Sequence, residues 1–67
     1  MLQLTVNGEA RNMPAGSRIT DLVHELGLDG RKIAVERNLE IVPRSRYSLD
    51  RLAQDDRIEI VAFVGGG

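Results

Sequence analysis

Apolar residues recur with two different periods along this chain, and the change of period divides it into elements. In "LQLTV" (residues 2–6) Leu2, Leu4 and Val6 share one side while Gln3 and Thr5 share the other, the alternation of a half-buried strand. Asn7-Gly8 follows, the dipeptide favoured in two-residue hairpin turns, and predicts a second strand over Glu9–Met13. A strict two-residue turn would set Val6 opposite Glu9 and Leu4 opposite Arg11, with both charges over the core. A one-residue slip through a bulge near Gly8 brings Ala10 opposite Val6 instead, and polarity favours that register. "MPAGS" then breaks the pattern with Pro14 and Gly16. In "ITDLVHELGL" the period lengthens: Ile19, Leu22, Val23 and Leu26 stand at i, i+3, i+4 and i+7, one apolar stripe on a short helix. Thr20 is the expected N-cap, and Asp21 suits the positive end of the dipole. Gly27 can take the left-handed stop that folds Leu28 back toward Val23.

The alternation returns in "KIAVE", where Ile33 and Val35 share a face, and in "NLEIVP", a turn and a short strand ending at Pro43. A proline cannot donate to a ladder, so this strand belongs at a sheet edge. "SLDRLA" spaces Leu49 and Leu52 three apart, consistent with one helical turn capped by Ser48. The last and longest strand is "RIEIVAFV", with Ile58, Ile60, Ala62 and Val64 in one row and Arg57, Glu59, Val61 and Phe63 in the other. A hairpin, one full helix able to cover one sheet face, and further strands make an α+β roll with a mixed sheet of four or five strands and a short helical turn. A right-handed crossover from the second strand to a parallel neighbour is the favoured connection.

Composition narrows the function classes. With 67 residues the chain is one domain with a thin core, and with no Cys it carries neither disulfides nor a thiolate metal site. One His without Cys argues against catalytic zinc or Cys/His chemistry. Nine Lys and Arg against ten Asp and Glu leave a net charge of -1, which argues against a general nucleic-acid binder. No apolar run reaches membrane-span length and "MLQLTVNGEA" has no signal-peptide pattern, so no membrane partner and a cytoplasmic location are the expectation. The most unusual stretch is the last, "VAFVGGG". Three glycines lack any Cβ and order poorly, so they read either as a frayed tail or as a segment that something must approach closely.

The order of elements and Gly66-Gly67 together resemble the ubiquitin-like β-grasp sulfur carriers, and the wording is similar to the ThiS branch of that family. "VNGE", "ITDLVHELGL", "EIVPRSRY" and "DRIEIVAFVGGG" sit where that family has similar stretches; "IVPR" and the terminal glycine pair are the more specific parts. Two turn positions depart from the family pattern: Leu39 and Asp55 stand where glycine is common. Asp tolerates a left-handed backbone, whereas Leu does so poorly, so the turn at Leu39 is expected to change shape. The resemblance implies a β-grasp domain over residues 1–64 and a flexible glycine tail over 65–67.

It also implies a function. The Gly67 carboxylate would be adenylated with ATP by an E1-like (ThiF-type) adenylyltransferase, and sulfur from a persulfide donor such as a cysteine desulfurase would then yield a terminal thiocarboxylate. Thiazole synthase (ThiG-type) would take that sulfur in thiamine biosynthesis. A carboxylate is inert at neutral pH and needs such activation. Gly65, Gly66 and Gly67, without Cβ atoms, would enter the narrow active sites of both enzymes. The chain would be a substrate and carrier, with no catalytic residues, no bound cofactor and no metal. Val61 and Phe63 would lie on the open sheet face at the base of the tail, as a docking surface for the activating enzyme.

Several residues have blander readings. His24 lies off the helix stripe and reads as exposed. Arg44, Arg46 and Arg51 read as a solvated cluster near Asp50 and Glu40. Tyr47 reads as packing over the edge near Pro43. Competing functions are the same chemistry for another acceptor (molybdopterin or thiolated tRNA), a ubiquitin-like modifier joining Gly67 to a lysine, and a β-grasp interaction module with no use for the glycines.

Overall fold

The computed structural model describes residues 1–63 of the chain. Five strands form one mixed sheet: β1 (Leu2–Val6), β2 (Glu9–Met13), β3 (Ile33–Arg37), β4 (Glu40–Val42) and β5 (Arg57–Ala62), in the order β2-β1-β5-β3-β4. The last strand therefore sits in the centre, parallel to β1 and antiparallel to β3. One helix, α1 (Ile19–Glu25), covers one face. β2 and β3, which α1 connects, run parallel, but β1 and β5 lie between them. The core is Leu4, Val6, Ile33, Val35, Val42, Ile58 and Ile60 from the sheet against Ile19, Leu22 and Val23 from α1, closed by Met13, Tyr47 and Leu52. Ile58 and Ile60 are buried as the alternation requires. Ala62, in the same row, is exposed. Val64 and the tail lie outside the described residues.

The first hairpin corrects the expected register. No bulge shifts Ala10 opposite Val6: Val6 pairs with Glu9, Leu4 with Arg11 and Leu2 with Met13. Asn7 (φ 51°) and Gly8 (φ 82°) both take positive φ, as a type I′ turn requires. The charges this brings to the helix side do not enter the core. Glu9 is exposed, Arg11 is half-buried, and only Met13 of β2 is buried. A seven-residue helix is too short to roof the whole sheet, so this end of the edge strand stays wet.

The second hairpin also differs from expectation. Asn38 (φ 52°) and Leu39 (φ 71°) adopt the same pair of positive φ values as Asn7 and Gly8, so Leu39 keeps the turn and bears the strain. Asp55 likewise takes φ 67°.

At the helix, the N-cap is Arg18, not Thr20, and the Asp21 carboxylate accepts a hydrogen bond from the Arg18 amide at 2.7 Å. The end runs as the sequence suggested: Gly27 at φ 71° donates to the His24 carbonyl and Leu28 to that of Val23, the Schellman pattern. The helical turn expected over residues 48–53 falls instead at Arg44–Arg46, directly after Pro43, whose φ of -61° and ψ of 145° lead into it. Leu49 is exposed and only Leu52 reaches the core. A further 3-10 turn, Gly30–Lys32, is capped by the Asp29 carboxylate, which accepts from the Arg31 amide at 2.9 Å.

Candidate functional site

β5 carries the expected docking pair, Val61 at its end and Phe63 just beyond it, and β1 and β3 flank the strand. Alternation along β5 sends Ile58 and Ile60 under the helix and Val61 to the opposite, open face. Val61 is 64% exposed and Phe63 62% exposed. Val61 pairs with Ala34 of β3, and the Phe63 amide donates to the Lys32 carbonyl at 2.8 Å. Two large apolar side chains thus stand in water on backbone that is hydrogen-bonded on the β3 side.

A third apolar residue joins them from the edge strand. Ile41, 67% exposed, pairs with Glu36 while its neighbour Val42 turns inward against Val35. Ile41, Ala34, Pro43, Tyr47 and Phe63 line one shallow groove of about 350 Å³. Ile41 does not stand out in the sequence. Its signal was the adjacent apolar pair Ile41-Val42 in a three-residue strand, where only one of the two can face inward.

Beyond this apolar end the open face turns polar. Glu36 and Glu59 are direct cross-strand partners, an unfavourable pairing that Arg57 offsets with its Nε 3.4 Å from a Glu59 carboxylate oxygen. The arginines near residue 46 pair locally or face solvent, as the sequence suggested. Arg46 pairs with Asp50 at 2.6 Å in an exposed i,i+4 bridge, and Arg44 and Arg51 are exposed. His24 is exposed, and Tyr47 is buried with its ring over Gly30. Asp29 is held down to about 2, first by the side-chain hydrogen bond from Arg31 and then by the Arg31 amide; the Arg31 guanidinium is raised in turn. Among the described residues, no group of three or more His, Cys, Asp or Glu could hold a metal ion. No helix there is long and apolar enough to cross a membrane. Gly65, Gly66 and Gly67 lie outside the described residues.

A central last strand, two flanking hairpins and a helix on one face define a β-grasp protein, with exposed apolar residues at the end of that strand. Residues 4–67 match the ThiS family, and the chain belongs to that family. It is 42% identical to the sulfur carrier protein ThiS of Bacillus subtilis over 67 residues, covering all of both chains. It is 53% identical over 66 residues to a thiazole synthase of Paramagnetospirillum magneticum, a match covering 98% of this chain and 20% of that protein. A thiazole synthase of Magnetococcus marinus matches over the same share at 42% identity. The chain thus spans about a fifth of the length of those two relatives. Among solved structures, the thiamine biosynthesis protein ThiS of Geobacter metallireducens superposes with a TM-score of 0.83 at 28% identity, covering 98% of this chain and 100% of that one.

Proposed function

We propose that this chain is a sulfur carrier for thiazole formation in thiamine biosynthesis, and that the sulfur rides on the carboxyl group of Gly67. The observation that carries the reading is the end-to-end match to a protein named as a sulfur carrier, glycine tail included. The two thiazole synthases that match this chain favour the same kind of enzyme as the acceptor of the sulfur.

The chemistry follows from what a carboxylate lacks. Near neutral pH it is ionised and a poor electrophile. An E1-like adenylyltransferase lets a Gly67 oxygen attack the α-phosphorus of ATP, expelling pyrophosphate and forming an acyl-adenylate. The terminal sulfur of a protein persulfide then attacks the carbonyl carbon, AMP leaves, and an acyl disulfide forms. A second thiol attacks the donor-side sulfur, forms a disulfide with it, and releases the thiocarboxylate. That thiol supplies the two electrons, so the balance closes without other reductant. On the acceptor enzyme the C–S bond breaks, the sulfur passes on at the sulfide level, and an oxygen from water or from the acceptor's own substrate takes its place on the carbonyl carbon, restoring the carboxylate. This chain supplies no acid, base or nucleophile beyond its own carboxyl group; it is a substrate and carrier, not a catalyst. Val61 and Phe63 dock the E1-like enzyme, and the glycines allow its backbone close approach.

Intact mass after incubation with ATP, a persulfide donor, a thiol and a thiazole-pathway E1-like enzyme tests this. The expected gain is one oxygen exchanged for sulfur, absent when Gly67 is deleted. No gain, while an authentic carrier in the same reaction is converted, would overturn the reading. A covalent conjugate to a lysine would instead identify a modifier. A thiocarboxylate that thiazole synthase does not consume would point to another acceptor, such as molybdopterin or tRNA thiolation.

A further inference from the structure

We propose that Asn7 is a positioning residue: its carboxamide sets the course of β5 from Ile60 to Phe63 and so presents Val61 and Phe63 to the activating enzyme in one orientation. The role rests on the carrier reading above. β1 ends at Val6, whose partner on β5 is Ile58, and the Asn7 amide still donates to the Ile58 carbonyl at 2.8 Å. There the chain turns away into β2, yet β5 runs on to Ala62. The Asn7 side chain stands in for the missing strand. Its Nδ2 donates to the Ile60 carbonyl at 3.1 Å, and its Oδ1 accepts from the Ile60 amide at 2.7 Å. A carboxamide carries the same donor and acceptor as a peptide group, so the two bonds extend the parallel ladder by one rung.

Backbone groups alternate sides along a strand. Phe63 is bonded toward β3, whereas the groups of Ile60 face the β1 side. Among the described residues, Asn7 is the last hydrogen-bonding partner on that side. The turn does not itself require Asn. At φ 51° glycine satisfies a type I′ turn equally well, so what Asn7 adds is the clamp. The second hairpin provides an internal control. Asn38, at φ 52°, accepts from the Arg57 amide at 2.9 Å and donates to the Asp56 carboxylate at 3.1 Å, so its carboxamide holds the opposite end of β5 through one backbone bond and one side-chain bond.

Asn7→Gly and Asn38→Gly therefore each remove a clamp without breaking a turn, and only the first loosens the end near Val61 and Phe63. In a pyrophosphate-release assay with the E1-like enzyme, N7G is expected to raise KM about threefold to tenfold, as the docking-competent fraction falls, with kcat unchanged. N38G should lose comparable thermal stability with KM unmoved. Hydrogen exchange should accelerate in N7G at the Ile60 amide and, to a smaller extent, at the Phe63 amide, whose bond to the Lys32 carbonyl lies on the loosened end, whereas N38G should leave both unchanged. Asn7→Asp, which keeps the acceptor but loses the donor, should raise KM in the same direction and serves if N7G folds poorly. Wild-type KM in N7G, or an equal KM rise in N38G, would overturn the positioning role while leaving the carrier reading intact. Failure of the wild-type chain to be adenylated would overturn the carrier reading, and this role for Asn7 with it.

Discussion

Replacing Leu39 by glycine should stabilise this protein, although the change deletes a large apolar side chain. Leu39 sits at φ 71°, where its Cβ crowds the following carbonyl, and that conformation costs an ordinary residue about 1–2 kcal/mol. The side chain offers little in return, being 74% exposed. Glycine removes the strain but adds freedom to the unfolded chain worth about 0.5–1 kcal/mol. The difference is a gain of about 0.7 kcal/mol. A domain of this size shifts by roughly 4–8 °C per kcal/mol, so the expected rise in Tm is about 4 °C. Leu39→Ala separates the causes: alanine keeps the Cβ and hence the strain, so its Tm should stay within about 1 °C of wild type. Thermal unfolding followed by circular dichroism, with urea titration for ΔG, measures both variants. If L39A stabilises as much as L39G, the cause is loss of the exposed apolar group, and the strain argument is wrong. A destabilised L39G would show that the Leu39 side chain contributes packing the folded structure does not reveal.

Three further outcomes follow from particular contacts. Asp56 is 5% exposed, pairs with the Arg37 Nε at 3.0 Å, and accepts from the Ala53 amide at 2.8 Å and from Asn38; Asp56→Ala should cost about 3 kcal/mol in urea denaturation, and a loss under about 1 kcal/mol would refute its structural weight. Asp29 has a carboxyl lowered to about 2 by Arg31, so the stability it adds is present above the ordinary carboxylate value of 3.8 and is lost as pH falls toward 2. In Arg31→Ala the NMR titration midpoint of Asp29 should return upward, and an unchanged midpoint would rule out Arg31 as the cause. Val61→Ala and Phe63→Ala together should leave urea stability within about 0.5 kcal/mol per substitution, because both side chains are mostly in water, yet, on the proposed carrier function, raise KM in adenylation by an E1-like enzyme with kcat retained. An unchanged KM would remove these residues from the docking surface.

Local chemistry made much of the architecture legible in the chain. Two periods of apolar residues separate strands from helix. Gly27 and Leu28 close the helix as their types suggest, and Pro43 puts β4 at the edge. The opposite facing of Ile60 and Val61 follows from alternation alone, so the exposed pair Val61 and Phe63 could be read before any coordinates. What alternation could not decide was where the roof ends. The register of β1 and β2 looked unfavourable because the charges of Glu9 and Arg11 were assigned to a covered face. Only the length and placement of α1 leave that corner open to water. The helical turn near residue 44 was misplaced for a related reason: Leu49 and Leu52 have helical spacing, but the loop commits only Leu52 to the core.

Turn residues carry the sharper lesson. Asn7-Gly8 announces a hairpin from composition, and Asn38-Leu39 hardly does, yet both adopt the same backbone. Each Asn has a partner more than eighteen residues away in sequence, on a strand that reaches the centre of the sheet only when the whole fold assembles. By itself the sequence determined the five strands and the helix, their order and the facing of β5, since these depend on periods of two and 3.6 residues within a single segment, whereas the two 3-10 turns escaped it. Tertiary structure alone decided which corner of the sheet the helix leaves open, which makes the register of the first hairpin tolerable, and the two carboxamide clamps, because each depends on segments far apart in the chain.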